Sequence, residues 1–351
     1  VALYLAGPWD APQFFSLTAA GTSAAMGRAA HVGATLSPSG RWLASPSGPR
    51  PADSIVVTNL EDGTSYTVDT PADFGVYGMA FDLSDTRLAL VEVGPSGGMS
   101  ATWAIAIVDL GSGSVTRFEN PGTGSENLLP GLPIGFSASG NDLLLDTFVP
   151  DTEGSNQGIW RYTIPSDAAP TTVSALAHSE LVPGEDYQTH PRLSPDGTRL
   201  LYLGRDFDYT PADYGPVGYD LAVNQLWMFD LTGGTPSQLV NVIDGDALAR
   251  TAAWSPEGER ILFIRGRYAG DVFTSLRFQI YDTTSGTVTE VAPLPLPSGG
   301  FLHRVHWLTE EIALYTASDN GGTTYLYRFD LSGGAETIVT SAQHVSVLPL
   351  Q

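Results

Sequence analysis

Short apolar runs alternate with polar turns along the whole chain, and no apolar stretch shows a helical period of useful length. The clearest unit is HPRLSPDGTRLLYLG (190–204), in which two apolar runs flank Ser194-Pro195-Asp196-Gly197. Pro presets φ and Gly tolerates positive φ, so this reads as a tight turn between two strands. Nearly the same pattern returns as AAWSPEGERILFI (252–264), GATLSPSGRWLAS (33–45) and IGFSASGNDLLLD (134–146). After each second strand comes a third, often aromatic: DSIVVTNL (53–60), ATWAIAIVDL (101–110), QGIWRYTI (157–164), NQLWMFDL (224–231), LRFQIYDT (276–283) and TTYLYRFDL (323–331). Glycine-bearing connections such as EDGT, GSGS, TGGT, TSGT and SGGA lead from them into a short Thr/Val strand, whereas IPSDAAP after Tyr162 uses proline instead.

The first-strand anchors Leu36, Phe81, Phe136, Leu193, Trp254 and Trp307 are spaced by 45, 55, 57, 61 and 53 residues. That is the length of a four-stranded antiparallel sheet with its loops, repeated radially as in a β-propeller. The second and third strands lack apolar/polar alternation, as strands covered on both faces do. Six blades are visible directly. A seventh is expected from the ends: VALYLAG (1–7), QFFSLTAAG (13–21) and TSAAMG (22–27) match second, third and fourth strands, and HVSVLPL (344–350) supplies the missing inner one. Pairing the two ends leaves no open edge. The alternative is six blades with an N-terminal arm. Either way the chain reads as one all-β propeller domain over residues 1–351.

The SPDG or SPEG turn, the apolar second strand and the aromatic third strand ending in Asp-Leu before Gly-Gly resemble the TolB-type (WD40-like) β-propeller repeat. Blades four and five match best, while DLSDTRLALVE and WLTEEIALYT are degenerate copies. The resemblance implies the fold. For function it implies a choice, because propellers of this type serve as periplasmic binding proteins, as gating domains of serine peptidases and, rarely, as metal-dependent lyases.

Composition narrows that choice. There is no cysteine and no lysine among 351 residues, which removes disulfides, thiolate chemistry, Schiff bases and phosphate-loop lysines. A formal charge of −22 opposes nucleic acid and anionic lipid and favours cations or basic protein patches. No run approaches the roughly 18 apolar residues of a spanning helix, so direct membrane insertion is not expected. Absence of Cys and of Asn-x-Ser/Thr sequons suits a bacterial extracytoplasmic location: periplasmic, cell-surface or secreted.

The candidate chemistry is sparse. Gly94-Pro95-Ser96-Gly97-Gly98 matches G-x-S-x-G, but a nucleophile elbow needs a following helix and MSATWAIAIV continues as a strand. His31, His190, His303, His306 and His344 recur just ahead of first strands, where imidazoles could converge on a divalent metal at the channel mouth. Their offsets from the anchors vary, so rim histidines bonded to neighbouring loops are the competing reading. Apart from such a cation, no cofactor is expected. The longest insertion, GRDFDYTPADYGPVGYDLAVNQ (204–225), concentrates Asp206, Asp208, Asp213 and Asp220 with Tyr209, Tyr214 and Tyr219. Calcium could take the carboxylates, although the spacing is not that of an EF-hand loop; tyrosines among flexible polar neighbours also make contact surfaces.

Topology assigns these insertions a direction. Loops joining second to third strands, and crossings between blades, fall on one face, and there lie 94–100, 119–131, 149–156, 172–189, 204–225, 266–274 and 293–302. Elaborated loops on a rigid scaffold are where binding concentrates. The leading expectation is therefore a non-enzymatic, extracytoplasmic scaffold that offers this long-loop face to a protein partner, as a subunit of a cell-envelope or surface assembly. The alternative is a metal-dependent lyase or hydrolase acting on an anionic sugar in the central channel.

Overall fold

The computed structural model describes residues 2–8, 12–29, 31, 33–48, 52–94, 103–119, 131–148, 156–165, 176, 178–183, 189–206, 208–212, 223–269, 272–294, 296–297, 300–332, 334 and 336–348. The fold is all-β: seven four-stranded antiparallel sheets, the blades of a seven-bladed propeller. From inner to outer strand, blade 1 is Thr35–Leu36, Trp42–Pro46, Ser54–Asn59 and Ser65–Asp69. Blade 2 is Gly75–Phe81, Arg87–Val93, Trp103–Asp109 and Val115–Glu119; blade 3 is Gly131–Phe136, Asp142–Phe148, Asn156–Thr163 and His178–Val182. Blade 4 is Thr189–Leu193, Arg199–Gly204, Gln225–Asp230 and Pro236–Asn241. Blade 5 is Ala247–Trp254, Arg260–Ala269, Val272–Asp282 and Thr287–Pro293; blade 6 is Phe301–Thr309, Ile312–Ser318, Thr324–Asp330 and Glu336–Ala342. In blade 7 the C-terminal His344–Leu348 is the inner strand beside Ala2–Gly7, Gln13–Leu17 and Ser23–Ala29, so the composite seventh blade is present and the six-blade alternative falls.

Two compact units make up the chain: Val1–Ala29 with Gln188–Val347, holding blades 4 to 7, and Ala30–Tyr187 with Leu348–Gln351, holding blades 1 to 3. Within each, apolar cores lie between consecutive blades. Leu201, Leu203 and Leu226 of blade 4 meet Leu248, Trp254 and Phe263 of blade 5; in the other unit Val91 and Ile105 of blade 2 meet Phe136 and Leu145 of blade 3. The second strands are buried on both faces for this reason.

The repeated turn does more than reverse the chain. Gly197, Gly258, Gly40 and Gly140 all have positive φ, and Asp85 takes that position in blade 2 with φ 56°, a conformation Asp tolerates better than most side chains. In blades 2, 4 and 5 the residue two positions later is an arginine that reaches the next blade. The Arg199 guanidinium lies 4.8 Å from the Trp254 ring and its Nη2 donates to Gly258 O at 2.7 Å. Arg260 stacks over Trp307 at 5.0 Å and donates to Glu310 O; Arg87 stacks over Phe136 at 5.1 Å and donates to Gly140 O. The aromatic anchors add a second clip, because Trp254 Nε1 donates to Arg192 O at 3.2 Å and Trp307 Nε1 to Ala253 O at 3.0 Å. Inner strands of blades 4, 5 and 6 are thereby held side by side.

One expected loop is a ladder instead. The sequence pattern places 266–274 in a loop, but the second and third strands of blade 5 run on to Ala269 and from Val272, with Arg267 opposite Thr274 and Tyr268 opposite Phe273. Those two rings sit 4.9 Å apart and extend the hairpin, while Gly266 permits the bulge: a Cβ there would come within 2.5 Å of Leu276 Cδ2.

Arg199→Ala is expected to lower unfolding stability by about 2 kcal/mol through loss of the ring contact and the charge-assisted bond across blades. Arg41→Ala, whose guanidinium lies 5.5 Å from the Trp42 ring and pairs with Glu61 on an exposed surface, both within its own blade, makes neither contact across blades and should lose no more than about 1 kcal/mol. Urea unfolding of both variants checks this, and equal losses would refute the arginine clip.

Candidate functional site

The long insertion of blade 4 begins as an ordered, pinned segment. Asp206 N donates to the buried Asn224 Oδ1 at 2.8 Å, and Asp206 Oδ1 accepts from Asp208 N at 3.0 Å. Tyr209 donates its hydroxyl proton to Asp246 O at 2.6 Å and accepts from Gly245 N at 2.9 Å, while Ala212 N donates to Gly245 O at 3.0 Å. Loss of water contact and the nearby Asp244 and Asp246 raise the Tyr209 pKa despite the Gly245 bond. The phenol thus fastens the loop to the 242–246 crossing and leaves the half-buried ring, with the exposed Asp208, as what it can present. Asp213, Tyr214, Tyr219 and Asp220 lie outside the described residues.

Under that crossing sits a charged frame that the sequence reading missed. Asp246 is buried, at 1% exposure, and receives Arg265 Nε at 2.8 Å, Arg267 Nε at 3.0 Å and a third bond from Arg277 Nη2. Arg265 also pairs with Asp244, and Arg277 Nε reaches Glu290 at 3.0 Å. Burial alone would raise the Asp246 pKa, but the bonds from Arg265 and Arg267 overcome it and hold the carboxyl below its ordinary range. Three cations face three carboxylates, so the frame is balanced and serves rigidity. Arg265, Arg267 and Arg277 look unremarkable in sequence because their common partner lies on the preceding crossing.

The histidines divide between the units. His31 is half-buried in the unit of blades 1 to 3, with its carbonyl accepting from Ala34 N at 3.3 Å. The His190 side chain lies outside the described residues. His303, His306 and His344 share the other unit. His303 is exposed on the long-loop end of the blade 6 inner strand, and its Nε2 meets Ser318 Oγ at 2.5 Å. His344 lies half-buried within electrostatic reach of it on the inner strand of blade 7; burial, then His303, lowers its pKa. His306 is 5% exposed, and its Nε2 has no hydrogen-bond partner among the described residues. Burial, then the charges of Arg192 and Arg304, push its pKa down to about 3. The same side of the strand carries Arg304, which is exposed to solvent yet has its pKa lowered by desolvation. Among the described residues no three His, Asp or Glu side chains gather as a metal site requires. Gly94 is described and Pro95 to Gly98 are not; the strand Trp103–Asp109 follows them and no helix occurs among the described residues.

His306 sets a pH dependence whose sign is definite. Unfolded, the imidazole takes a proton near its ordinary value of 6.5; folded, it stays neutral down to about 3. The unfolded state therefore binds more protons across that window, so this contribution to stability is complete above pH 6.5 and is lost as pH falls toward 3. Urea midpoints at pH 7, 5 and 4 should fall more steeply for the native chain than for His306→Gln.

No protein-family profile matches the chain. Among solved structures it is similar to an oligogalacturonate lyase from Vibrio parahaemolyticus, at 11% identity over 93% of this chain and 91% of that one, with a TM-score of 0.63. It is similar also to a periplasmic gluconolactonase of Pseudomonas aeruginosa, at 14% identity over 100% and 99% of the two chains, TM-score 0.60. TolB from Acinetobacter baumannii aligns more loosely, with 14% identity over 99% of this chain and 83% of that one and a TM-score of 0.47, so the TolB-like character stays a resemblance of the repeat. At these identities the likeness is one of fold: the chain is a seven-bladed β-propeller.

Proposed function

We propose that this protein is a non-enzymatic, extracytoplasmic binding propeller that offers its long-loop face to a protein partner in a cell-envelope or surface assembly. The observation that carries the reading is where large apolar side chains are left in water. In the unit of blades 4 to 7, Ile243 (69% exposed) lies on the blade 4–5 crossing, Val272 (45%) at the tip of the blade 5 hairpin and Phe301 (59%) at the start of the blade 6 inner strand. All three belong to the long-loop ends. Leu132 occupies the matching end of an inner strand in the other unit, and the remaining two, Val288 and Ile338, lie on outer strands. Exposed apolar groups on a frame stiffened by Asp246 and its arginines suit protein contact, and the charge of −22 favours a partner with a basic rim.

The second reading, a metal-dependent lyase or hydrolase acting on an anionic sugar, draws on His303 and His344 as adjacent imidazoles and on the lyase and lactonase with the same fold. Adjacent Arg304 opposes a dication there by charge repulsion.

Capture from envelope extracts should be weakened by Ile243→Ser with Phe301→Ser and by Tyr214→Ala with Tyr219→Ala, with melting temperatures nearly unchanged. Glu257→Gln, on the opposite face, should leave capture intact; the reverse pattern would place the functional surface on the wrong face. Elemental analysis of protein purified without chelator should show no stoichiometric transition metal. One equivalent of Mn, Fe, Ni or Zn that disappears in His303→Ala would replace the scaffold reading with the catalytic one.

A further inference from the structure

We infer that Asn320 is a covalent modification site: its side-chain amide is lost through attack by Gly321 N, leaving aspartate or isoaspartate on the long-loop face, at a rate that Asp319 restrains. The inference concerns the chemistry of one turn and stands whatever the chain binds.

The reaction needs an unhindered backbone nitrogen directly after an asparagine. Of the eight asparagines only Asn320 precedes a glycine; the others precede Leu, Pro, Asp, Gln or Val, which crowd that nitrogen or, in Pro, leave it without a proton. Asn59 and Asn224 are in addition buried. Asn320 is exposed, in the turn between the blade 6 strands Ile312–Ser318 and Thr324–Asp330, so water has access to it.

The step balances with water alone. Gly321 N gives its proton to solvent base and attacks Asn320 Cγ. The new C–N bond closes a cyclic imide as the side-chain nitrogen leaves as ammonia. Water then adds to either imide carbonyl, giving aspartate or, where the backbone comes to run through the β-carbon, isoaspartate.

The folded turn governs how fast this goes. Asp319 N donates to Thr323 O at 3.0 Å and Gly322 N to Asp319 O at 3.2 Å, with Gly322 at φ 79°. The nitrogen that must attack is itself engaged, donating to Asp319 Oδ1 at 2.9 Å. Thr323 N donates to the same oxygen and the Tyr325 hydroxyl to Oδ2, each at 2.9 Å. The bond from Thr323 N, then that from Tyr325, hold the Asp319 carboxyl below its ordinary range, so it is ionised at neutral pH. A carboxylate facing Gly321 N disfavours loss of its proton, and closing the imide ring has to break both that bond and the turn. Attack therefore waits on local opening of the hairpin. Phe301, exposed at the same end, pairs with Ser318 immediately before this turn, so conversion places a new negative charge close to that ring.

The test is peptide mapping by mass spectrometry, with isoaspartate quantified, on the whole chain aged at pH 8 in buffer and in concentrated urea. In buffer, conversion is expected to concentrate at Asn320, and in urea to run at least about threefold faster there. Asp319→Asn, which keeps an acceptor and removes the charge, should speed conversion in buffer by at least about threefold, and Asp319→Ala by more. Both should match the native chain in urea, and melting temperatures establish that both are folded in buffer. Gly321→Ala should slow conversion in either solvent. No conversion at Asn320 in buffer, faster conversion at another asparagine, or an undiminished rate in Gly321→Ala would overturn the site. Equal rates in buffer and urea, or a native rate in both Asp319 variants, would overturn the restraint. Partner capture enters none of these measurements, so their outcome leaves the binding reading where it was.

Discussion

The structure depends on one recurring interaction, the reach of a turn arginine from one blade onto the aromatic anchor and turn carbonyl of the next. A four-stranded sheet covered on both faces cannot bury itself, so each blade needs its neighbour. Arg87, Arg199 and Arg260 meet that need at the rim by stacking on Phe136, Trp254 and Trp307 while satisfying a backbone oxygen. Guanidinium suits the task better than ammonium because a flat cation can lie on a ring and still donate in its own plane. Blade 1 has Trp42 at the equivalent position, and there Ser37 Oγ instead bonds Asp85 of blade 2 at 3.1 Å.

The same scarcity of cations organises the rest of the molecule. With only 16 arginines, each one is informative about where rigidity or charge is needed. One group closes gaps between blades, a second locks Asp246 on the blade 4–5 crossing, and others serve within a blade, as Arg117 does on the buried Glu92. The carboxylates of the outer turns work locally. Asp109 accepts from Ser112 Oγ at 2.7 Å and N at 2.7 Å, Asp230 from Thr232 Oγ1 at 2.6 Å and N at 2.8 Å, and Asp282 from Ser285 N at 2.7 Å and Oγ at 2.9 Å, and these bonds lower their pKa values. Much of the acidic surface is therefore turn chemistry, with solubility as a consequence.

A propeller separates its scaffold from its function in space. Short turns at one end of each blade carry the repeat, and loops and crossings at the other end are free to vary. In the unit of blades 4 to 7 that variable end holds the pinned loop at Tyr209, the Asp246 frame, the exposed Ile243, Val272 and Phe301, and the His303 and Arg304 pair.

Sequence alone determined the propeller architecture and the strand order of six blades, because these follow from local turn chemistry and a repeated apolar rhythm that the turns Ser194-Pro195-Asp196-Gly197 and Ser255-Pro256-Glu257-Gly258 write plainly; the choice of a seventh blade joined from the two ends over an N-terminal arm was decided by the pairing of His344–Leu348 with Ala2–Gly7. It also pointed to the long-loop face, since loop lengths are read directly from the gaps between strands. The partners of particular side chains were decided by tertiary structure. Tyr209 looked like an offered aromatic, and its hydroxyl is bonded to a crossing 37 residues away; Arg265, Arg267 and Arg277 gave no signal until Asp246 was placed among them. The blade 5 hairpin ran past the loop assigned to 266–274 because Tyr268 and Phe273 pair across strands, which no single run reveals. His303, His306 and His344 were visible as candidates, yet only packing shows that His306 is buried beside two arginines while His303 is not. Local interactions are written in neighbouring residues, whereas charge pairing and burial depend on which blades meet, and that is a property of the folded chain.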